Sequence, residues 1–320
     1  MSTRSHIEYV QHTFNPWWGC VPVSPGCDHC YAERDAARFQ PGAPLWGTDA
    51  VYREFGDAHW REPVRWNRAA ERAGTPARVL CASMADWADL RGPAAARERL
   101  WALIRATPWL HWLLLTKRIG NVPQLLPLDW GDGYVNVWLG ATVCNQPEFE
   151  RDVPKLLAVP ARIRWLSVEP MLSEIDALRA STAWFERGLA PWLNAPLLHG
   201  IHWIVGGGES GPQARPTHPL WATRLRDQCI HHGVPFFWKQ WGEWVPRGLN
   251  WLADGTEADS VDPQCKRWPQ VIRLTESGQD GRYCENADGG EDRFMQRTGK
   301  RLAGRYLGYR TWDELPEAAR

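Results

Sequence analysis

The sequence Cys20-Val-Pro-Val-Ser-Pro-Gly-Cys27-Asp-His-Cys30 carries three cysteines with the spacing C-x6-C-x2-C. A strand-like run from Ile7 to Trp18 precedes it, and a helix-like run from Tyr31 to Phe39 follows it. The prolines and the glycine between the first two cysteines favour a loop conformation. Three thiolates on one loop of this length can face a single point in space.

Three thiolates on one loop are typical of an iron–sulfur cluster or a zinc site, because both bind soft sulfur ligands. A structural zinc ion would need a fourth ligand, for which His29 or His12 is available. Zinc patterns usually contain two close pairs, and the absence of a second C-x2-C in the sequence favours a cluster. Three buried apolar thiols, or a disulfide, are the weaker alternatives.

The composition is that of a large chain with a sizeable core, since 44% of its 320 residues are hydrophobic. This length allows one large α/β barrel or a domain with an appendage. The formal net charge of zero gives no overall electrostatic attraction to nucleic acids or membranes. Without an apolar signal segment or a run of about 18 apolar residues, the chain is expected to be cytoplasmic and to have no membrane partner.

Apolar, strand-like runs alternate with helix-like stretches over most of the chain. The strand-like runs after the cysteine loop are 78–84, 111–116, 135–143, 163–168, 202–205 and 235–238. The helix-like stretches between them are 94–106, 149–158 and 219–232, and a short one at 66–73 precedes the first run. Continuous apolar runs are typical of buried parallel strands. Sequential βα units therefore predict an α/β fold built on a full or partial (βα) barrel.

The alternation of strands and helices stops near residue 242, which indicates two parts. We expect residues 1–242 to form the barrel that carries the cysteine loop, with a surface insertion at about 40–76. Residues 243–320 are polar, Gly-rich and irregular, and predict a C-terminal extension packed on or near the barrel. The basic segment 299–310 also contains apolar anchors such as Leu302, which predicts that it folds back toward the barrel.

Polar side chains follow six of the strand-like runs, at the point where each run ends. Functional residues of βα barrels gather at the carboxyl ends of the strands. One polar strand end would not indicate a functional site, because every strand must leave the core. Six such ends would line one rim of the barrel beside the cysteine loop. The candidates at these ends are Ser83, Asp86, Lys117, Thr142, Glu169, Glu209, Lys239 and Gln240.

The run Gly206-Gly-Gly208-Glu-Ser-Gly211 matches the pattern G-x-G-x-x-G after a strand-like run. A dinucleotide-binding fold would begin its helix at once, whereas three prolines delay the helix here. We interpret these glycines as space for a ligand that passes close to the backbone.

The cysteine loop and four further motifs together resemble a phage- and bacterium-encoded family of largely unassigned function. The motifs are Leu114-Leu-Thr-Lys-Arg118, Leu166-Ser-Val-Glu-Pro170, Val205-Gly-Gly-Gly-Glu-Ser-Gly211 and Phe236-Phe-Trp-Lys-Gln-Trp-Gly242. With the terminal segment from Gly299 to Arg305, the resemblance covers nearly the whole chain. This family looks like a branch of the radical S-adenosylmethionine (SAM) superfamily, whose usual spacing is C-x3-C-x2-C where this chain has C-x6-C-x2-C.

The resemblance implies a barrel of the radical-SAM type in which Cys20, Cys27 and Cys30 ligate a [4Fe–4S] cluster and SAM binds the open iron. It implies a cluster reduced by a donor such as flavodoxin or ferredoxin, and SAM cleaved to a 5′-deoxyadenosyl radical. The residues expected to contact the cofactor are His29, Ser83, Asp86, Lys117, Thr142 and Glu209. The candidate catalytic residues are Glu169 and Lys239, and the candidate substrate-binding residues are Gln240, Trp241, Arg301 and Arg305.

Two classes of function remain open at the level of sequence. The first is a radical SAM enzyme that modifies or repairs a nucleic acid or nucleotide, a substrate class indicated by the phage association and the Arg-rich tail. The second is a non-catalytic iron–sulfur or zinc module that binds nucleic acid or a partner protein. In that case Trp241, Trp244 and Arg247 would stack on unpaired bases. A zinc hydrolase ranks last, because the chain lacks a His-rich ligand set.

Overall fold

The structure is a computed structural model that describes residue 5 and residues 7–180, 198–247, 270–275, 280–281 and 293–317. The strands in chain order are β1 (His12–Phe14), β2 (Trp17–Trp18), β3 (Arg53–Glu54), β4 (Ala77–Cys81), β5 (Leu110–Thr116), β6 (Val137–Thr142), β7 (Ile163–Val168), β8 (Trp203–Gly207), β9 (Phe236–Gln240), β10 (Trp244–Pro246), β11 (Val271–Leu274), β12 (Asp280–Gly281) and β13 (Arg293–Arg297).

The helices of the described ranges follow in chain order. They are α1 (Tyr31–Phe39), α2 (Asp57–Trp60), α3 (Glu62–Ala73), α4 (Ala94–Arg105), α5 (Gln146–Ala158), α6 (Pro219–His231) and α7 (Lys300–Ala303). The α3 helix ends at Gly74, whose left-handed φ of 65° costs a glycine little. None of the helices in the described ranges is both long enough and apolar enough to cross a membrane.

The main sheet has seven strands in the order β1-β4-β5-β6-β7-β8-β9. Its neighbours pair in parallel, for example β4 with β5 and β8 with β9. The order has β1 at one edge and β9 at the other, so the sheet is a partial barrel and not a closed one. The expected α/β fold is confirmed, and the described strands form a partial barrel and not a full one.

The chain divides into two compact units. The first contains Met1–Thr142 and Asp152–Trp165, and the second contains Val143–Arg151 and Leu166–Ala318. The first unit holds β1 and β4 to β6, and the second holds β8 and β9. The sequence predicts a boundary at residue 242, where the barrel would end. The two units are defined by contacts within the chain and do not test that boundary, which stays a prediction.

The core of the first unit is built from strands that are apolar along their whole length. All of β6 is buried, and β5 buries Trp112, Leu113 and Leu114 completely. The predicted insertion at 40–76 contains β3, α2 and α3 and has its own buried side chains, Leu45 and Trp60. Helix formation therefore starts at Asp57 and Glu62, earlier than the stretch 66–73 that apolar spacing indicates.

In the second unit, part of the extension expected to be irregular forms an antiparallel sheet. Its strand order is β10-β13-β11-β12. Trp244, Leu274 and Met295 pack together beneath it with Ala214. The strands are short and lie among polar, Gly-rich residues, so the hydrophobic pattern alone does not reveal them.

The C-terminal segment of the second unit packs on β9. Trp238 donates its backbone N–H to the Trp312 carbonyl at 3.0 Å, and Phe237 forms an antiparallel bridge with Asp313. The Leu307 side chain is 1% exposed. Trp312 and Asp313 therefore contact the edge strand β9, and the packing of the whole extension on the barrel stays a prediction.

Candidate functional site

Backbone hydrogen bonds anchor each of the three cysteines of the loop. Cys20 follows β2 and donates its N–H to the Leu45 carbonyl at 3.0 Å. Cys27 ends a short 3-10 turn that Ser24 caps by accepting the Gly26 N–H at 3.0 Å. Cys30 donates to the Cys27 carbonyl at 3.2 Å and stands directly before α1. The loop therefore has a defined path between β2 and α1.

The Cys20 thiol lies in an environment that keeps it protonated at neutral pH. Burial raises the pKa of Cys20 to about 11, the Asp86 carboxylate adds to the rise, and Arg118 opposes it. A thiol with a raised pKa is a poor nucleophile, because the thiolate is the reactive form. This environment argues against a free catalytic cysteine at position 20.

The arrangement of the His and Cys side chains bears on the choice between a cluster and a zinc ion. Within the described ranges, no three His, Cys, Asp or Glu side chains form a group that could hold a metal ion. His12 stacks on Trp66 at 4.3 Å between ring centroids, so its ring is used in packing. A [4Fe–4S] cluster binds each thiolate through a different iron and needs its ligands farther apart than zinc does. The metal ligands Cys20, Cys27 and Cys30 stay a prediction.

Arg118 is a buried guanidinium that contacts the cysteine loop. Its side chain is 9% exposed, and its Nη1 lies 2.9 Å from Asp86 Oδ2 and 3.6 Å from Cys20 Sγ. Its Nη2 lies 3.5 Å from Asp89 Oδ2 and also donates to the Val21 carbonyl. One side chain thus joins the first cysteine to two carboxylates that follow β4.

The Asp86 carboxylate, a predicted cofactor contact, is fully engaged by the protein. Its Oδ1 accepts from Thr116 Oγ1 at 2.6 Å and from the Ala88 N–H at 3.0 Å. Its Oδ2 accepts from the Lys117 N–H at 3.0 Å as well as from Arg118. Asp86 therefore fixes the ends of β4 and β5 against each other and orients Arg118.

Ser83 connects the same strand end to the loop's helix. Its hydroxyl accepts from Asn15 Nδ2 at 3.2 Å, and its carbonyl accepts from the Tyr31 hydroxyl at 2.9 Å. Tyr31 is the first residue of α1 and directly follows Cys30. Thr142 is buried at the end of β6, and His29 is half-buried between two of the cysteines. Cofactor contacts by these residues stay predictions.

In the second unit, the two candidate catalytic residues contact each other. Lys239 Nζ lies 3.0 Å from Glu169 Oε1, and the two side chains are 17% and 12% exposed. Ser167 Oγ donates to Glu169 Oε2 at 3.2 Å. The structure therefore places a largely buried ion pair at the ends of β7 and β9.

The interpretation of the glycine run as space for a ligand is wrong. A Cβ at Gly206 would lie 3.1 Å from the Trp238 ring, and one at Gly207 would lie 2.8 Å from Glu169 Oε1. A Cβ at Gly208 would lie only 1.9 Å from the Trp241 carbonyl oxygen. Protein atoms already occupy the space, so these glycines permit close packing of β8.

Glu209 is paired with a residue that the sequence did not single out. Arg215 donates its N–H and Nε to Glu209 Oε2 at 2.7 and 2.9 Å, and its Nη2 to Oε1 at 2.6 Å. The Glu209 side chain is 5% exposed. This geometry closes the turn after β8, and a cofactor contact by Glu209 stays a prediction.

The candidate substrate-binding residues differ in their exposure. Trp241 is 1% exposed, and its indole N–H donates to the Tyr306 carbonyl at 2.6 Å. Arg305 is ion-paired with Asp313, whereas Arg301 is exposed. Gln240 is buried, and its Oε1 is without a hydrogen-bond partner among the described residues. Trp241 and Arg305 thus serve packing here, and the substrate role of all four stays a prediction.

Sequence comparison places the chain among proteins without an assigned activity. The profile of a family described as "Protein of unknown function (DUF5131)" matches residues 4–316. No curated protein matches the chain.

Solved structures of spore photoproduct lyase are similar at low identity. A variant with bound AdoMet and dinucleoside spore photoproduct is 15% identical with a TM-score of 0.42, over 71% of this chain and 63% of that chain. Another, complexed with dinucleoside spore photoproduct, is 13% identical with a TM-score of 0.38, over 88% of this chain and 67% of that chain. The chain thus spans less than two thirds of the length of the first.

Proposed function

We propose that this chain, which belongs to the DUF5131 family of proteins of unknown function, is an iron–sulfur enzyme of the radical-SAM type that modifies or repairs a nucleic acid or nucleotide. The observation that carries the proposal is the buried Arg118 guanidinium directed at the Cys20 sulfur, at 3.6 Å. Burying a charge is costly unless it meets an opposite charge. The Arg118 guanidinium would form its strongest hydrogen bond with a Cys20 thiolate, which is the form of cysteine that ligates iron.

The electrostatics of the loop support a metal-bound thiolate over a free one. The raised pKa keeps Cys20 protonated when nothing else is bound. Metal binding requires the deprotonated ligand and releases the proton. A cationic cluster core would compensate the charge of the thiolate and the excess charge of Asp86 and Asp89, and Arg118 would then donate a charge-assisted hydrogen bond.

The residues have distinct parts in this proposal. Cys20, Cys27 and Cys30 would hold a [4Fe–4S] cluster. When bound and reduced by a flavodoxin- or ferredoxin-type donor, the cluster and SAM would supply a 5′-deoxyadenosyl radical that abstracts hydrogen from the substrate. The protein's part is to position the substrate and to exclude water.

Glu169 and Lys239 are the proposed catalytic side chains of the second unit. Because Lys239 Nζ lies 3.0 Å from Glu169 Oε1, a proton can be shared between them. A substrate group placed against the pair would find both a donor and an acceptor at one position. The low exposure of the pair strengthens both interactions relative to water.

The metal content of protein made without oxygen tests the proposal. We expect about four irons and four sulfides per chain and a brown colour. Cys27→Ala should lose them, because it removes one of three ligands. The matched control is Cys229→Ala, which removes a buried thiol of α6 outside the loop and should retain the cluster.

Two results would contradict the proposal in different ways. A colourless wild type that holds one tightly bound zinc would favour the non-catalytic binding module. A wild type that holds the cluster and forms no 5′-deoxyadenosine from SAM under a strong reductant would limit the chain to cluster binding. Formation of 5′-deoxyadenosine by wild type and Cys229→Ala, and not by Cys27→Ala, is the expected outcome.

A further inference from the structure

We infer that Arg118 is a positioning residue that hydrogen-bonds the Cys20 sulfur and raises the reduction potential of the cluster-loaded protein. The inference rests on the proposed function, because it concerns the same loop. It adds a residue that lies in one of the sequence motifs but is not among the candidate site residues. Its basis is the orientation of the guanidinium, the pair of carboxylates that hold it and the burial of the whole group.

Several partners hold the Arg118 guanidinium in its orientation toward the Cys20 sulfur. Nη1 donates to two acceptors, Cys20 Sγ at 3.6 Å and Asp86 Oδ2 at 2.9 Å. Nη2 donates to the Val21 carbonyl, next to Cys20 in the chain. At 9% exposure the side chain is also held by packing. The two terminal nitrogens of Arg118 therefore contact both the Cys20 sulfur and the backbone of the loop.

The carboxylates that hold Arg118 are themselves fixed. Asp89 Oδ2 accepts from the Tyr52 hydroxyl at 2.8 Å, and Asp89 Oδ1 accepts from the Arg91 N–H at 3.0 Å. Besides the bond from Arg118, the Asp86 carboxylate accepts three hydrogen bonds, from Thr116 Oγ1 and from two backbone N–H groups. Outer partners of this kind orient the groups that contact a metal centre and tune it.

A hydrogen bond to a ligand sulfur favours the reduced state. Reduction adds negative charge that spreads onto the sulfur ligands, so an N–H donor stabilises the reduced form more than the oxidised form. The charges around Arg118 act in the opposite sense, because two carboxylates outweigh one guanidinium. Removing Arg118 alone would change both the charge and the hydrogen bond. Removing Arg118 and Asp89 together removes the hydrogen bond and keeps the net charge of the protein.

The test is a redox titration of the cluster-loaded wild type and of Arg118→Met/Asp89→Asn, followed by electron paramagnetic resonance. We expect a lower potential in the double variant. At the wild-type midpoint, its ratio of reduced to oxidised protein should fall about tenfold, which corresponds to about 59 mV for one electron. A charge-assisted hydrogen bond has a strength that justifies this size.

The matched control is Arg97→Met. Arg97 is also buried, and it donates to the carbonyls of Trp87 and Asp89 and, in the described contacts, to no cysteine sulfur. Loss of the Arg97 charge should lower the potential by less than the double variant does, because no hydrogen bond to the Cys20 sulfur is lost. An equal shift in Arg97→Met would mean that general loosening of this region sets the potential, and would overturn the inference.

The inference and the proposed function fail in distinguishable ways. A wild type without a cluster defeats the proposed function and, with it, the inference. A wild type with a cluster whose potential equals that of Arg118→Met/Asp89→Asn defeats the inference alone. If circular dichroism shows that the double variant does not fold, Arg118→Gln replaces it, since the amide keeps some size and polarity. An unchanged potential in Arg118→Gln would likewise overturn the inference.

Discussion

At the scale of single residues, the strictest requirement is for a glycine at position 208, where the chain after β8 meets the backbone that follows β9. Gly208 donates its N–H to the Gln240 carbonyl at 2.8 Å, and Glu243 donates to the Glu209 carbonyl at 3.0 Å. A Cβ at Gly208 would lie 1.9 Å from the Trp241 carbonyl oxygen. Two main chains touch here, and only glycine allows the approach.

We predict that Gly208→Ala lowers the free energy of unfolding by about 3 kcal/mol, the upper range for overpacking, because backbone cannot move aside as a side chain can. The measurement is urea denaturation followed by circular dichroism. The matched control is Gly56→Ala, since a Cβ at Gly56 would meet nothing within 4 Å and φ there is −75°. Equal denaturation midpoints for the two variants would show that the close contact is not required.

The same scale shows what sequence reasoning can and cannot find at the site. The spacing of the cysteines marks the loop directly, and a strand-like run that ends in Thr116-Lys117-Arg118 marks a strand end. The strand-like run does not indicate which of these three side chains turns toward the cysteine loop. Arg118 meets Cys20 across 98 positions of sequence. Such a contact depends on the fold, and the only local signal is the pair of acids at Asp86 and Asp89.

At the scale of elements, long apolar runs made the parallel strands predictable. The predicted run 163–168 is β7, and the predicted helix from Tyr31 to Phe39 is α1. Both have continuous patterns with clear ends. The strands β10 to β13 were missed because two to five residues per strand give no period to detect.

The edge strand β9 is covered by the C-terminal segment. Glu314 donates its N–H to the Phe236 carbonyl at 3.3 Å, and the Glu314 carboxylate accepts the Phe236 N–H at 3.0 Å. Trp312 is 7% exposed and donates its indole N–H to the Leu307 carbonyl at 2.8 Å. Uncovered edge strands invite pairing with other chains. The segment therefore acts as a cover for this edge.

We predict that a chain ending at Gly299 unfolds at lower urea and aggregates. It would lose the burial of Leu307 and Trp312, about 4 kcal/mol in total for two large apolar side chains, and would expose the β9 edge. Urea denaturation and light scattering measure the two effects. A control chain ending at Pro316 keeps the residues that pair with β9 and should behave as wild type. A Gly299 truncation with wild-type stability would show that the cover is dispensable.

At the scale of the whole molecule, a net charge of zero gives phosphate no general attraction. Any affinity for nucleic acid must then come from a local group of basic side chains. In the segment 299–310, Arg301 and Arg310 are exposed, and Arg310 lies over the Trp312 ring at 3.5 Å. Arg305 is already paired with Asp313. The exposed pair is therefore the sharper test of substrate binding.

We predict that Arg301→Gln/Arg310→Gln weakens binding of a single-stranded oligonucleotide and flattens its dependence on salt. Each phosphate contact contributes about 0.7 to the slope of log affinity against log salt, so losing two should lower the slope by about 1.4. The matched control is Arg99→Gln/Arg105→Gln, which removes the same charge from two arginines that face Asp57 and Asp129. If the control flattens the slope equally, total charge and not this segment attracts the oligonucleotide. If wild type binds no oligonucleotide at any salt concentration, the nucleic-acid substrate is excluded and the cluster chemistry must act on another class of molecule.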